Sequence, residues 1–124
     1  MSIESALFTA LTNHAGLSGL IAARLHPDYL PQGAVYPCVV MQRVSTPRSQ
    51  VFGSTQAVAV SRPRFQFSCW ALTHEGARAV CAALRTALLA TSYPVTLDSE
   101  YTLHDPDSNY SRRNLDAFVG HSGE

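Results

Sequence analysis

The sequence predicts an α+β fold in which two helices pack on one face of a mainly antiparallel sheet, with a long flexible β-hairpin loop. Three observations predict it. Apolar residues recur at helical spacing in two stretches, 3–13 and 73–90. They alternate at strand spacing around Phe65, Phe67 and Cys69. Turn-forming residues at 105–109 separate a final pair of extended runs. The order is helix, strands, helix, strands, with no internal repeat and no linker, so residues 1–124 are expected to form one domain.

In the first helix Ile3, Leu7, Ala10 and Leu11 share a face, Ser2 is placed to cap it, and Asn13 and Gly16 end it. A short helical turn is expected over 17–23, with Leu17, Leu20 and Ile21 pointing inward. Pro27, Pro31, Gly33 and Pro37 are too closely spaced for a helix, so 24–30 should be extended and 31–33 a turn. Residues 38–45 form a β-branched strand, Val39 and Met41 opposite in facing to Val40 and Gln42. Residues 46–55 are polar apart from Val51 and Phe52, and read as the mobile tip of a long hairpin. The chain returns as a strand over about 57–71, and Pro63 marks its outer part as an edge or bulge. Thr73 caps the second helix, whose stripe is Ala77, Val80, Cys81, Leu84 and Leu88. Residues 95–104 and 111–120 close the fold as a hairpin, with Leu115, Ala117 and Val119 inward.

Composition narrows the function classes. Hydrophobic residues make up 46% of the chain and charged ones 15%, too apolar for a disordered chain. Nine basic and nine acidic side chains cancel, so the basic excess that drives binding to nucleic acid or anionic membrane is missing. No apolar run reaches the ~18 residues of a membrane span, and Met1-Ser2-Ile3-Glu4 lacks the basic region of a secretory leader. Cys38, Cys69 and Cys81 form no CxxC pair and read as buried, reduced thiols.

Candidate chemistry is sparse. His14, His26, His74, His104 and His121 make no HxH, HxxxH or HExxH arrangement, and each falls at a turn or an element end. There is no glycine-rich phosphate loop and no GxSxG elbow. Asp105-Pro106-Asp107-Ser108-Asn109 matches the opening of a calcium loop, but Tyr110 stands where that loop needs Gly and Asp116 where it needs Glu. Turn chemistry accounts for the same residues. No catalytic, cofactor or metal site is therefore expected; the alternative, a small enzyme assembled from scattered His and Cys, has no local motif behind it.

The distribution of charge is more informative than its total. Between Arg43 and Arg64 there are four Arg (Arg43, Arg48, Arg62, Arg64) and no acid. Between Asp98 and Asp107 there are four acids (Asp98, Glu100, Asp105, Asp107) and no Lys or Arg. Asp98 and Glu100 lie at strand spacing, as one solvated acidic edge. A basic hairpin and an acidic edge suit a head-to-tail contact between identical subunits; they equally suit a meeting of the two within one chain. With Val51 and Phe52 at the tip, these ten residues are the candidate contact set.

Several segments in this order carry a family resemblance: Leu30-Pro31-Gln32-Gly33, Tyr36-Pro37-Cys38-Val39-Val40, Arg64-Phe65-Gln66-Phe67-Ser68-Cys69-Trp70-Ala71 and Tyr110-Ser111-Arg112-Arg113. Together they resemble the tail-completion proteins of long-tailed phages, also called tail terminators or tail-to-head joining proteins. The resemblance implies a structural virion protein, made in the host bacterial cytoplasm, that forms a hexameric ring at the head-proximal end of the tail. Its implied partners are further copies of itself, the major tail tube protein and the head–tail connector. It implies no catalytic residue and no cofactor. A head-side connector or stopper of the same particle is the neighbouring alternative. The closing strand, 114–121, is less aromatic than the family pattern leads one to expect.

Overall fold

The computed structural model describes residues 3–22, 24–45, 48–49, 60–61, 63–91, 93–104 and 110–122. Helices α1 (Ile3–Asn13), α2 (Ala15–Ile21) and α3 (His74–Leu89) cover one face of a five-stranded sheet. Its strands are β1 (Leu25–Pro27), β2 (Cys38–Ser45), β5 (Arg64–Ala71), β6 (Val95–His104) and β7 (Ser111–Val119), in the order β1-β2-β5-β7-β6. The short β1 runs parallel to β2 and every other pairing is antiparallel. A second, small sheet joins β3 (Arg48–Ser49), β4 (Val60–Ser61) and β8 (His121–Ser122).

The helical layer follows from sequence spacing. α1 buries Ile3, Leu7 and Leu11, and α3 buries Ala77, Val80, Cys81, Leu84, Ala87 and Leu88. Thr73 caps α3 by accepting a bond from the Gly76 N–H at 3.0 Å. Gly76 fits closely there, since a Cβ would sit 3.1 Å from both the Ala71 side chain and the Thr73 hydroxyl. The expected turn over 17–23 is a helix with His14 as its cap, the imidazole Nδ1 accepting from the Leu17 N–H at 3.4 Å. It buries Leu17 and Ile21 but leaves Leu20 40% exposed. A seven-residue helix presents one narrow stripe, and Leu20 is about 100° around the axis from Ile21. The cap expected at Ser2 lies outside the described residues.

In the sheet, the alternation of β5 is complete: Phe65, Phe67, Cys69 and Ala71 are buried, and Arg64, Gln66, Ser68 and Trp70 lie on the other face. Val39 and Met41 of β2 pair with Cys69 and Phe67, and Leu115 and Ala117 of β7 with Phe67 and Phe65. These residues meet the helices in one continuous core with Leu25 and Val119. Burial of each Phe is worth roughly 2–3 kcal/mol, so the β2–β5–β7 centre anchors the fold.

Two elements differ from the sequence reading. The strand expected over 57–71 is split at Pro63: β4 belongs to the small sheet and β5 starts at Arg64. Proline has no N–H to give a ladder, and the Pro63 carbonyl accepts from the Val119 N–H at 3.1 Å. The polar tail after Gly120 is also structured, because β8 pairs with β4, Val60 opposite Ser122 and Ser61 opposite His121. Of the expected hairpin tip, 46–55, only Arg48 and Ser49 are among the described residues; the rest of it lies outside them, as does the acidic turn 105–109. The stem of the hairpin is present in the pairing of Arg48–Ser49 with Val60–Ser61.

Candidate assembly surface

The positions nominated from sequence divide between the two faces of the sheet. Arg43 opposes the inward Phe65 and pairs with Glu4 of α1, tying the first helix to β2. Arg64 lies on the far face, where Nη2 donates to Asp116 Oδ2 at 2.6 Å and stands 3.6 Å from Asp98 Oδ2. Its guanidinium also covers the Phe118 ring at 5.9 Å. Arg48 is placed by its backbone in β3. Val51, Phe52, Arg62, Asp105 and Asp107 lie outside the described residues.

Asp98 and Glu100 do not form one edge. A β-bulge between Leu97 and Ser99 shifts the register of β6 on β7. Before it Leu97 opposes the inward Ala117; after it Glu100 opposes the inward Leu115 and Ser99 opposes Asp116. The extra residue reverses the alternation, leaving Asp98 towards Arg64 and turning Glu100 under α3. There Glu100 is only 21% exposed, paired with Arg85 and Arg113 and accepting from the Cys81 thiol. Burial alone would raise its pKa. Hydrogen bonds from Arg113 and Cys81, with the charges of Arg113 and Arg85, outweigh burial and hold the carboxyl below the usual range. The solvated acidic edge expected from spacing is thus replaced, at Glu100, by an ion-paired carboxylate against the helix.

Sequence reasoning passed over the residues around that carboxylate. Arg78, Arg85 and Arg113, with Glu75, Ala79 and Ala82, line a cleft of about 290 Å³ beside α3. Arg78 and Arg85 are seven residues apart, two turns of one helix face, a spacing visible in the sequence.

On the far face, Gln66 donates to the Tyr101 hydroxyl at 2.9 Å, and the Ser99 hydroxyl donates to Asp116 at 3.2 Å. Asn114 and Asp116 are almost fully buried there. At the end nearer Ser111, Tyr36 stacks on Tyr110 with ring centroids 4.4 Å apart, and Arg112 lies 5.0 Å over Trp70. Val44 and Leu72 stay more than half exposed. A sheet face with this much aromatic and aliphatic surface is suited to contact with another protein.

The three thiols are free and buried. Burial pushes Cys38 up to about 11 against the opposing pull of Arg24. Cys69 is raised by its hydrogen bond with Cys81 and then by burial. Among the described residues no group of His, Cys, Asp and Glu is placed to hold a metal ion, and no helix is long and apolar enough to cross a membrane.

These features define a small two-layer α+β chain whose notable chemistry is charge pairing and an exposed apolar surface. The family model described as "Tail completion protein gp17" matches residues 5–118, and the chain belongs to that family. It is a virion structural protein of phage tail completion. A chain from a solved structure described as "Virion of native gene transfer agent (GTA) particle" has the same fold, with a TM-score of 0.67 and 18% identity over 98% of this chain and 96% of that one. No curated protein matches the chain.

Proposed function

We propose that copies of this chain close into a ring, six to the ring, that ends the tail tube at its head-proximal side and joins it to the head connector. Membership of the tail-completion family carries this reading. Physical support comes from the surface: an exposed sheet face, a basic cleft on the opposite side and a β-stem leading to the Arg-bearing hairpin. Two different patches on one subunit are what a head-to-tail ring requires. The partners are other copies, the major tail tube protein and the connector. The work is done by binding and shape, with no catalytic step and no cofactor.

Electron microscopy of particles from a null mutant tests the role. Tails of uncontrolled length are the expected result. Tails of normal length beside filled, unjoined heads would reassign the chain to joining alone, as a connector or stopper. Normal infectious particles would overturn the proposal.

A further inference from the structure

The described charges are unevenly committed. The pairs Arg43–Glu4, Arg85–Glu100 and Arg64–Asp116 are close contacts. Two others are long: Arg78–Glu75 and Arg64–Asp98, each at 3.6 Å. Arg78 and Asp98 are also well exposed, at 58% and 45% of their side chains. Such exposed, loosely held pairs contribute little within the subunit.

Their surroundings have opposite charge. The α3 cleft gathers Arg78, Arg85 and Arg113 against Glu75 and Glu100, leaving positive charge over. At its Asp98 end the far sheet face sets Arg64 against both Asp98 and Asp116, leaving negative charge over among the described residues there, while Arg112 lies at the other end over Trp70. The sheet stands between the two, since Glu100 and Arg113 face α3 while Asp98 faces away with Arg64. They cannot neutralise each other within one chain. On two copies stacked in the same sense, however, they can meet.

We propose that the Arg78 cleft of one copy receives the Asp98 face of the next, and that this contact, repeated, closes the ring. It rests on the ring reading above and names the surfaces involved. Asp98 keeps the acidic role expected from sequence, while its partner is the α3 cleft in place of the Arg-rich hairpin. The β6 bulge enables the contact by turning Glu100 inward to hold Arg85 and Arg113 in place while Asp98 remains outside. The apolar side chains of the far face then supply burial around the charged centre.

The test uses purified full-length chain, alone and mixed with tail tubes, with oligomeric state followed by sedimentation across concentration. Arg78→Glu and Asp98→Arg should each raise the concentration needed for half assembly about tenfold or more, by setting like charges against each other. The double variant should restore assembly, because the exchange re-forms the pair. Unchanged melting temperatures confirm that the monomers are folded; if a reversal unfolds the chain, Arg78→Ala and Asp98→Asn replace it, with the same direction of effect expected. A wild-type chain that assembles while the single variants assemble equally well overturns this contact and leaves the ring standing. Single variants that fail without rescue in the double also overturn it. A wild-type chain that never oligomerises, even on tube ends, overturns the ring reading and this contact with it.

Discussion

Arg64 and Asp116 are bonded across β5 and β7 at 2.6 Å, on the sheet face turned away from the helices. Asp116 is 97% buried there, its 3% exposure comparable with that of the core. A carboxylate this buried needs a partner, and Ser99 supplies only one further hydrogen bond.

Arg64→Ala should therefore destabilise the chain by about 1–3 kcal/mol, between the values for an exposed pair and a fully buried one because Arg64 is itself partly exposed. Urea denaturation measures it. Asp116→Asn in the Arg64→Ala background should recover part of the loss by removing the unpaired charge. A single variant as stable as wild type would show that the pair contributes nothing net.

Glu100 gives the fold a defined response to acid. Its folded pKa is lowered, so its contribution is fully present above the unfolded carboxyl value of about 4.3 and is lost as pH falls through the folded value. Melting temperature followed from pH 6 to pH 3 should fall less steeply for Glu100→Gln than for wild type. The variant should also be the less stable of the two at pH 6, where Arg85 and Arg113 lose their shared partner. Parallel pH profiles would remove Glu100 from the acid response.

The thiols predict a sharp contrast between native and unfolded protein. Cys38, Cys69 and Cys81 are buried, and burial holds Cys38 near 11, far from the thiolate form that reacts. An aromatic disulfide reagent at pH 7.5 should label none of the three in the native chain within minutes and all three in denaturant. Rapid native labelling would mean that the core around β2, β5 and α3 opens readily.

Much of this was legible because it depends on periodicity. The alternation of Phe65, Phe67 and Cys69 and the stripe from Ala77 to Leu88 specify which sides face the core, whatever lies elsewhere. The bulge at Asp98 was not legible, since Val95 to His104 alternates no differently on the page from an unbulged strand. That one inserted residue decided the assignment of Glu100, and with it the Arg78–Arg85–Arg113 cleft. The parallel pairing of Leu25–Pro27 and the pairing of His121–Ser122 with Val60–Ser61 were hidden for a different reason. Strands of two or three residues carry no usable period, and only long-range hydrogen bonding creates them.

The stem formed by Arg48–Ser49 and Val60–Ser61 makes its own case for a role in assembly. Two-residue pairings are marginal by themselves, yet here both the stem and the segment after Gly120 are held at one end of the main sheet. The Gly120 N–H donates to the Pro94 carbonyl at 2.8 Å, and β8 lies against β4. The stem belongs to this small sheet and not to the five-stranded sheet that carries the described core, which favours a role for the Arg-bearing hairpin in assembly over one in stability. Deleting 48–53 should consequently leave melting temperature within a few degrees of wild type and the main sheet intact by circular dichroism. The same deletion, carried by the phage, should stop tails from being completed. A large fall in melting temperature would make the hairpin part of the fold, and normal infectious particles would remove it from the assembly mechanism.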